Sequence, residues 1–175
     1  AHIGTFVLRC AKERNCTVYA YEPYKESYKL IIENTKVNNL QDKVKIFNKA
    51  VGSKIETRDL YIHPDHYAGC TFYPGQGIPY IPVKVECTTL RQIFIDNNLD
   101  KCDVLKMDCE GEEKYILNST DIDTLRKIDK IILEYHYYTE GKEISEYLKK
   151  MGFFVYPEEV PNVERSVLYA TNRYI

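Results

Sequence analysis

Apolar residues recur along the chain in two patterns, short continuous runs and longer stretches with helical spacing. The short runs are rich in β-branched and aromatic residues and predict buried strands. These strands are predicted at residues 17–21, 44–47, 103–108, 131–135, 153–156 and 166–171. Apolar positions at i, i+3, i+4 and i+7 predict amphipathic helices. They are predicted at residues 24–37, 90–97 and 142–151, with another helix from Glu112 and a turn around Thr124. Alternating strands and helices are typical of an α/β domain with a mostly parallel sheet.

Residues 57–87 have a different character, because prolines and glycines are concentrated there. Strand-like pieces at 59–62 and 83–87 bound the segment, which predicts a hairpin or flap with a long irregular tip. Its aromatic residues either stack on a substrate or pack the flap onto the sheet, and we favour packing. They are Tyr61, Tyr67, Phe72, Tyr73 and Tyr80. His63 and His66 lack a third metal ligand nearby, so we expect them to be solvated loop residues.

The composition and the net charge of the chain argue against some classes of protein. The 175 residues are 44% hydrophobic and 29% charged, which is the balance of an ordinary globular domain. The net charge of −2 lacks the basic excess of most nucleic-acid-binding proteins, so no nucleic-acid partner is expected. No apolar run is long enough to predict a membrane span. Six cysteines without a Cys-x-x-Cys pair predict reduced thiols and a cytoplasmic location.

Candidate chemistry lies where three predicted strands end. Glu22 follows the strand at 17–21, Asp108 ends the strand at 103–108, and Glu134 lies near the end of the strand at 131–135. Ligands of such folds bind beyond the carboxyl ends of the strands. The separation of Gly4 and Glu22 is close to the roughly 20 residues between a glycine loop and a ribose-binding acid in nucleotide-binding folds. The alternative is that Glu22 is a solvated helix-capping acid before Pro23.

Five motifs occur in a characteristic order. They are VYAYEP at 18–23, Asn34 with NNL at 38–40, NKAVG at 48–52, LKMDCEGEE at 105–113 and IILEYH at 131–136. Together they resemble the FkbM-type family of S-adenosylmethionine-dependent methyltransferases. The resemblance covers nearly the whole chain and is weakest at residues 55–82.

The resemblance implies an α/β class I methyltransferase (Rossmann-like) fold. This fold has a mostly parallel seven-stranded sheet, with order 3-2-1-4-5-7-6 and an antiparallel last strand. We therefore expect a single methyltransferase domain over residues 1–175, with residues 57–87 as the flap insertion. The chain opens on Ala1-His2-Ile3-Gly4, which resembles the tail of the family's first glycine loop. We accordingly expect the domain to be N-terminally incomplete, without its first strand.

By the same resemblance the cofactor is S-adenosylmethionine. Glu22 would bind its ribose, Tyr24 would lie against the adenine or pack the helix, and Asp108 would lie beside the transferred methyl group. Residues 48–50 would contact the adenine edge. The predicted cofactor-binding residues are Gly4, Glu22, Pro23, Tyr24, Asn48, Lys49, Ala50 and Asp108.

Asp108, Glu134 and His136 are the predicted catalytic residues. His136 is a candidate general base held by a carboxylate. A Mg²⁺ site of Asp108 and Glu134 is possible, because hard cations favour oxygen ligands, but no metal is expected. The structural alternative is that Glu110 and Glu113 cap the following helix. Lysines are rarely buried without a partner, so we also expect Lys106 to pair with a nearby acid.

The resemblance therefore implies an enzyme that methylates a hydroxyl on a small molecule, sugar or glycan. An RNA or protein methyltransferase is less favoured, because proline is absent after Asp108 and the chain has no basic excess. A truncated or degenerate binding module without catalysis is a third possibility. A Rossmann dehydrogenase is the weakest, since the asparagine and Asp-x-Glu-Gly motifs do not suit it.

Overall fold

The computed structural model describes residues 1–65, 69–163 and 165–173. It divides into two compact units, Ala1–Ala50 with Glu56–Cys87 and Val51–Ile55 with Thr88–Ile175. The predicted single domain over residues 1–175 stays a prediction. Within the described ranges, no helix combines the length and apolar character needed to cross a membrane.

The elements up to residue 88 are α1 (Thr5–Glu13), β1 (Val18–Tyr21), α2 (Lys25–Val37), β2 (Val44–Phe47), β3 (Ala50–Val51), β4 (Glu56–Ile62) and β5 (Ile81–Thr88). Of these, β1, α2 and β2 match closely the elements predicted at residues 17–21, 24–37 and 44–47. β1 and β2 pair in parallel, with Val18 opposite Val44. The sequence analysis missed α1, whose buried residues are Val7 and Ala11 alone.

Gly4 starts α1 in a conformation that suits glycine. Its φ angle is +88°, and a Cβ there would lie 3.2 Å from Cγ2 of Ile31 on α2. Both the positive φ and the close approach to the neighbouring helix exclude a larger residue without strain.

The predicted flap is a β4–β5 hairpin. The two strands are antiparallel, from Glu56 opposite Cys87 to Ile62 opposite Ile81. Phe72 lies in the core beneath the hairpin and is 8% exposed, as expected for an aromatic that packs the flap. His66 and Tyr67 lie outside the described residues.

The second unit contains most of the remaining predicted elements. They are α3 (Leu90–Asp96), β6 (Leu105–Met107), α4 (Glu113–Ser119), α5 (Ile122–Arg126), β7 (Lys130–Tyr135), α6 (Tyr138–Lys150), β8 (Phe153–Tyr156) and β9 (Ser166–Asn172). The strand order is β6-β7-β9-β8, with β6 and β7 parallel and β9 antiparallel to both its neighbours. This is the 4-5-7-6 part of the expected sheet.

The described strands form three separate sheets. β1 and β2 form a sheet of two strands, β3, β5 and β4 form one of three, and β6, β7, β9 and β8 form one of four. In the described part of the chain, the second edge of β1 and the second edge of β6 have no strand beside them.

Candidate active site

The register of β6 and β7 brings the predicted catalytic residues to one face of the four-stranded sheet. β6 and β7 are parallel, and Lys106 lies opposite Ile132. Two residues further along each strand, Asp108 therefore falls opposite Glu134. Side chains alternate between faces with a period of two, so Glu134 and His136 point to the same side. The expectation that these strand ends converge is confirmed.

Asp108, Glu134 and His136 form a compact cluster. One carboxylate oxygen from each acid and one ring nitrogen of His136 all lie within 4.8 Å of one another. The His136 side chain is 9% exposed. Among the residues that the structure describes, neither of its buried ring nitrogens has a hydrogen-bond partner. Nδ1 lies 3.7 Å from Oε2 of Glu110, which is an ion-pair distance rather than a hydrogen bond.

Two cationic side chains balance the acids. Lys106 donates from Nζ to Oδ2 of Asp108 at 2.9 Å, which confirms that this lysine pairs with a nearby acid. Arg165 lies with Nε 3.6 Å from Oε1 of Glu134 and with one terminal nitrogen 3.7 Å from Oε2 of Glu110. Burial raises the pKa of Glu110, and the neighbouring His136 and Arg165 partly offset this rise.

The sequence analysis missed Arg165, which precedes β9 in a loop. The pairing of β9 with β7 was the feature from which its position could have been predicted. β9 runs antiparallel to β7 with Ser166 opposite Tyr135. The residue before Ser166 therefore lies beside His136, and any cation there would face the same acids.

Glu113 holds the turn that follows Asp108. Glu110 and Gly111 have φ angles of +53° and +102°, so the backbone turns sharply. The Glu113 carboxylate is fully buried and accepts hydrogen bonds from the N–H of Cys109 and, at 3.0 Å, from the N–H of Gly111. Burial raises the pKa of Glu113 to about 6. Glu113 is also the acid in the first turn of α4, so the helix-capping alternative stays open beside its support of the preceding turn.

Glu22 is a buried, hydrogen-bonded acid rather than a solvated one. It is 6% exposed. Its Oε2 accepts hydrogen bonds from the amino group of Ala1 at 2.9 Å and the N–H of His2 at 2.7 Å. Its Oε1 accepts one from the N–H of Tyr24 at 2.9 Å, at the start of α2. The ribose-binding role of Glu22 stays a prediction.

The remaining predicted cofactor residues of the first unit surround this turn. Asn48 donates from Nδ2 to the backbone oxygens of Glu22 and Pro23, at 2.9 and 3.0 Å. Tyr24 packs against the core beneath the hairpin. Lys49 lies 3.8 Å from Glu86. The side chain of Ala50 is buried in the same core as Tyr24, so it offers a ligand its backbone groups only.

The cofactor residues other than Asp108 thus lie in one unit, and the predicted catalytic residues lie in the other. Within the first unit, Asn48, Glu22 and Pro23 are joined by hydrogen bonds. Within the second, Asp108, Glu134 and His136 are joined at the strand ends.

Solved structures identify the class of fold. Methyltransferase FkbM from Methylobacillus flagellatus KT superposes with a TM-score of 0.60 at 13% identity, covering 98% of this chain and 41% of that one. Precorrin-6y C5,15-methyltransferase from Geobacter metallireducens GS-15 superposes with a TM-score of 0.55 at 11% identity, covering 98% and 75%. The fold is that of the class I methyltransferases, as predicted.

The family follows from the sequence itself. Residues 1–155 match the methyltransferase FkbM domain, and the chain belongs to this family. A shorter match joins it to the tRNA (guanine(37)-N(1))-methyltransferase of Macaca mulatta, which is 46% identical over 48 residues. That match spans 27% of this chain and 9% of the relative.

Proposed function

We propose that this protein transfers the methyl group of S-adenosylmethionine to a hydroxyl group on a small molecule, sugar or glycan. The observation that carries the proposal is the cluster of Asp108, Glu134 and His136 in a chain of the FkbM methyltransferase family. Hydroxyl groups are poor nucleophiles until their proton is removed, and these three side chains are suited to that step.

The chemistry is an in-line displacement. The acceptor oxygen forms a bond to the methyl carbon as the carbon–sulfur bond breaks, and sulfur keeps the electron pair to give S-adenosylhomocysteine. The enzyme contributes chiefly by aligning the two reactants. The acceptor hydroxyl loses its proton at the cluster, where two carboxylates and one buried imidazole offer lone pairs.

The proposal assigns the cofactor ribose to Glu22. A carboxylate offers about four lone-pair sites. Oε2 of Glu22 accepts two hydrogen bonds and Oε1 accepts one from Tyr24. Oε1 therefore retains capacity for a ribose hydroxyl. Asn48 supports this assignment by fixing the backbone on both sides of the Glu22–Pro23 bond.

Calorimetry with S-adenosylhomocysteine tests the cofactor assignment. We expect micromolar binding that Glu22→Ala abolishes. Glu26→Ala is the matched control, because Glu26 is an exposed acid on the adjacent helix α2 and pairs with Lys29. Absence of binding to the wild-type protein would contradict the proposal and favour a non-catalytic module.

Transfer of a labelled methyl group tests the reaction. His136→Ala should abolish turnover while leaving the affinity for S-adenosylhomocysteine unchanged. Unchanged turnover would remove His136 from the chemistry. The label should appear in a base-stable ether on a hydroxyl-bearing acceptor.

RNA methylation is the second candidate, and the 48-residue match to a tRNA methyltransferase favours it. The net charge of −2 opposes it, because a nucleic-acid surface normally needs a basic excess. Incubation with labelled cofactor and either total RNA or a glycan fraction separates the two candidates by where the label accumulates.

A further inference from the structure

We infer that Asp108, Glu134 and His136 bind a divalent cation. Their three donor atoms come from two different strand ends and meet within 4.8 Å. The histidine is an independent sign of a ligand, because its side chain is 9% exposed. Among described residues neither ring nitrogen has a hydrogen-bond partner. Buried polar atoms in native proteins normally have a hydrogen-bond partner, so we expect a bound ligand to contact this imidazole.

The surroundings of His136 indicate which nitrogen would bind. Nδ1 faces Oε2 of Glu110 at 3.7 Å. A metal-bound histidine usually directs its second ring N–H at a carboxylate, which fixes the tautomer and the ring orientation. Glu110 is placed for that role, and this leaves Nε2 for the cation.

The donor set favours a particular class of ion. Two carboxylates and one neutral imidazole carry a charge of about −2, which a divalent ion neutralises. Imidazole suits Zn²⁺, Fe²⁺ and Ni²⁺, carboxylates also suit Mn²⁺, and Mg²⁺ prefers an all-oxygen ligand set. Three protein ligands also leave coordination positions open for a substrate. We therefore assign the site to a divalent first-row transition metal ion.

The spacing of the donor atoms is close to that of a metal site. Metal–ligand bonds of roughly 2.0–2.2 Å place two ligands of one ion about 3–4.4 Å apart. The donor atoms here all lie within 4.8 Å of one another. Asp108 is exposed and can move, and Lys106 occupies its Oδ2, which leaves Oδ1 for the ion.

The role of the ion deepens the proposed function and rests on it. Bound at these residues, the cation would make a coordinated acceptor hydroxyl more acidic, and water would take up the proton as the oxygen attacks the methyl group. In this arrangement His136 is a metal ligand, and the general-base alternative is an outcome of the test below.

The test measures Mn²⁺ binding directly, through the loss of the electron paramagnetic resonance signal of the free ion. The wild-type protein should bind one Mn²⁺ per chain. Asp108→Asn and His136→Gln should each weaken binding by more than roughly tenfold, the loss typical of a disturbed metal site. Circular dichroism of each variant confirms that it is folded, and Glu134→Gln replaces any variant that is not.

Asp59→Asn is the matched control. Asp59 also pairs with a lysine, with Oδ2 2.8 Å from Nζ of Lys84, but it lies on the hairpin. It should leave Mn²⁺ binding unchanged. Failure of the wild-type protein to bind Mn²⁺, or binding that survives both ligand substitutions, would overturn the inference. Calorimetry with S-adenosylhomocysteine on the same sample reports the proposed function separately, since its predicted ribose ligand is Glu22.

Discussion

The carboxylate of Glu113 accepts a hydrogen bond from the backbone N–H of Gly111, two residues earlier, at 3.0 Å. The same carboxylate accepts another from the N–H of Cys109. A fully buried acid thus organises the turn through which the chain passes from Asp108 to α4. The conformation of the candidate site therefore depends on a side chain that is not itself in the cluster.

Glu113→Gln should lower the free energy of unfolding, most strongly at mildly acidic pH, where the cost of burying a charged carboxylate is smallest. A glutamine side chain has one acceptor oxygen, so at least one buried backbone N–H loses its partner, at a cost of about 1–3 kcal/mol. Urea denaturation measures the change. Glu26→Gln is the control, because its exposed ion pair with Lys29 contributes at most about 1 kcal/mol. Equal stability of the two variants would contradict a supporting role for Glu113.

The stability difference between wild type and Glu113→Gln should also depend on pH. Burial raises the folded-state pKa of Glu113 from 4.5 to about 6. Between these values the folded protein holds a proton that the unfolded chain has released. The stability of the wild type relative to the variant is therefore greatest below pH 4.5 and falls as the pH rises through about 6. A pH-independent difference would show that this pKa is not raised.

Gly141→Ala should destabilise the second unit, although alanine favours helices. A Cβ at Gly141 on α6 would lie 2.8 Å from the ring of Tyr135, which is fully buried. Overpacking of this kind costs about 1–3 kcal/mol, and the helix propensity of alanine returns at most about 1 kcal/mol. Thermal denaturation of the variant measures the balance.

The control is Gly75→Ala in the flap, where a Cβ would meet nothing within 4 Å. It should leave the melting temperature almost unchanged. A Gly141→Ala protein as stable as the control would contradict this prediction, because α6 would then shift away from β7 without a loss of stability.

Asn48→Ala should weaken the binding of S-adenosylhomocysteine without unfolding the protein. Its side chain joins the backbone oxygens of Glu22 and Pro23, so its loss frees the turn that carries the predicted ribose ligand. A hydrogen bond of about 0.5–1.5 kcal/mol corresponds to a roughly two- to tenfold loss of affinity. Asn38→Ala removes a similar side-chain bond, at 2.8 Å to the Asn34 oxygen, and should leave the affinity unchanged.

Thiol reactivity should differ sharply among the cysteines. Burial raises the pKa of Cys109 to about 12 and that of Cys102 to about 11, so neither forms much thiolate near neutral pH. Cys16 is exposed. In the native protein Ellman's reagent should therefore modify Cys16 first. Cys16→Ser should remove the fast phase and Cys102→Ser should not, whereas rapid labelling of Cys109 would contradict its burial.

The sequence was most informative where one pattern determined one element. The run at 44–47 predicted β2 with the bounds that the structure shows. α1 was missed, although its buried residues Val7 and Ala11 recur at i and i+4 as in other amphipathic helices.

Local sequence motifs also made part of the candidate site predictable. The acids at the strand ends follow from local motifs, and parallel pairing then places Asp108 opposite Glu134. Arg165 was not predictable from local sequence, because it reaches the acids through antiparallel pairing with β7 from a distant loop. The position of Glu113 in a first helical turn was predictable, but its hydrogen bonds to the preceding turn were not, because they depend on the positive φ angles of Glu110 and Gly111.

Arg165→Gln should strengthen Mn²⁺ binding. Its guanidinium lies 3.6 Å from Glu134 and 3.7 Å from Glu110, so it repels a cation at the inferred site and competes for one of its ligands. Removal of one positive charge should raise the affinity severalfold at low ionic strength, and salt should reduce the gain. The side chain is 64% exposed, so the substitution should leave the fold intact.

Arg9→Gln is the matched control for this charge change. Arg9 also pairs with an acid, Glu13 at 3.2 Å, but on the surface of α1. It changes the net charge by the same amount, so any gain shared by both variants reflects the overall field of the protein. A gain confined to Arg165→Gln places the cation beside Arg165. Weaker binding in that variant would mean instead that Arg165 orients the acids, and that the ion depends on the arrangement it maintains.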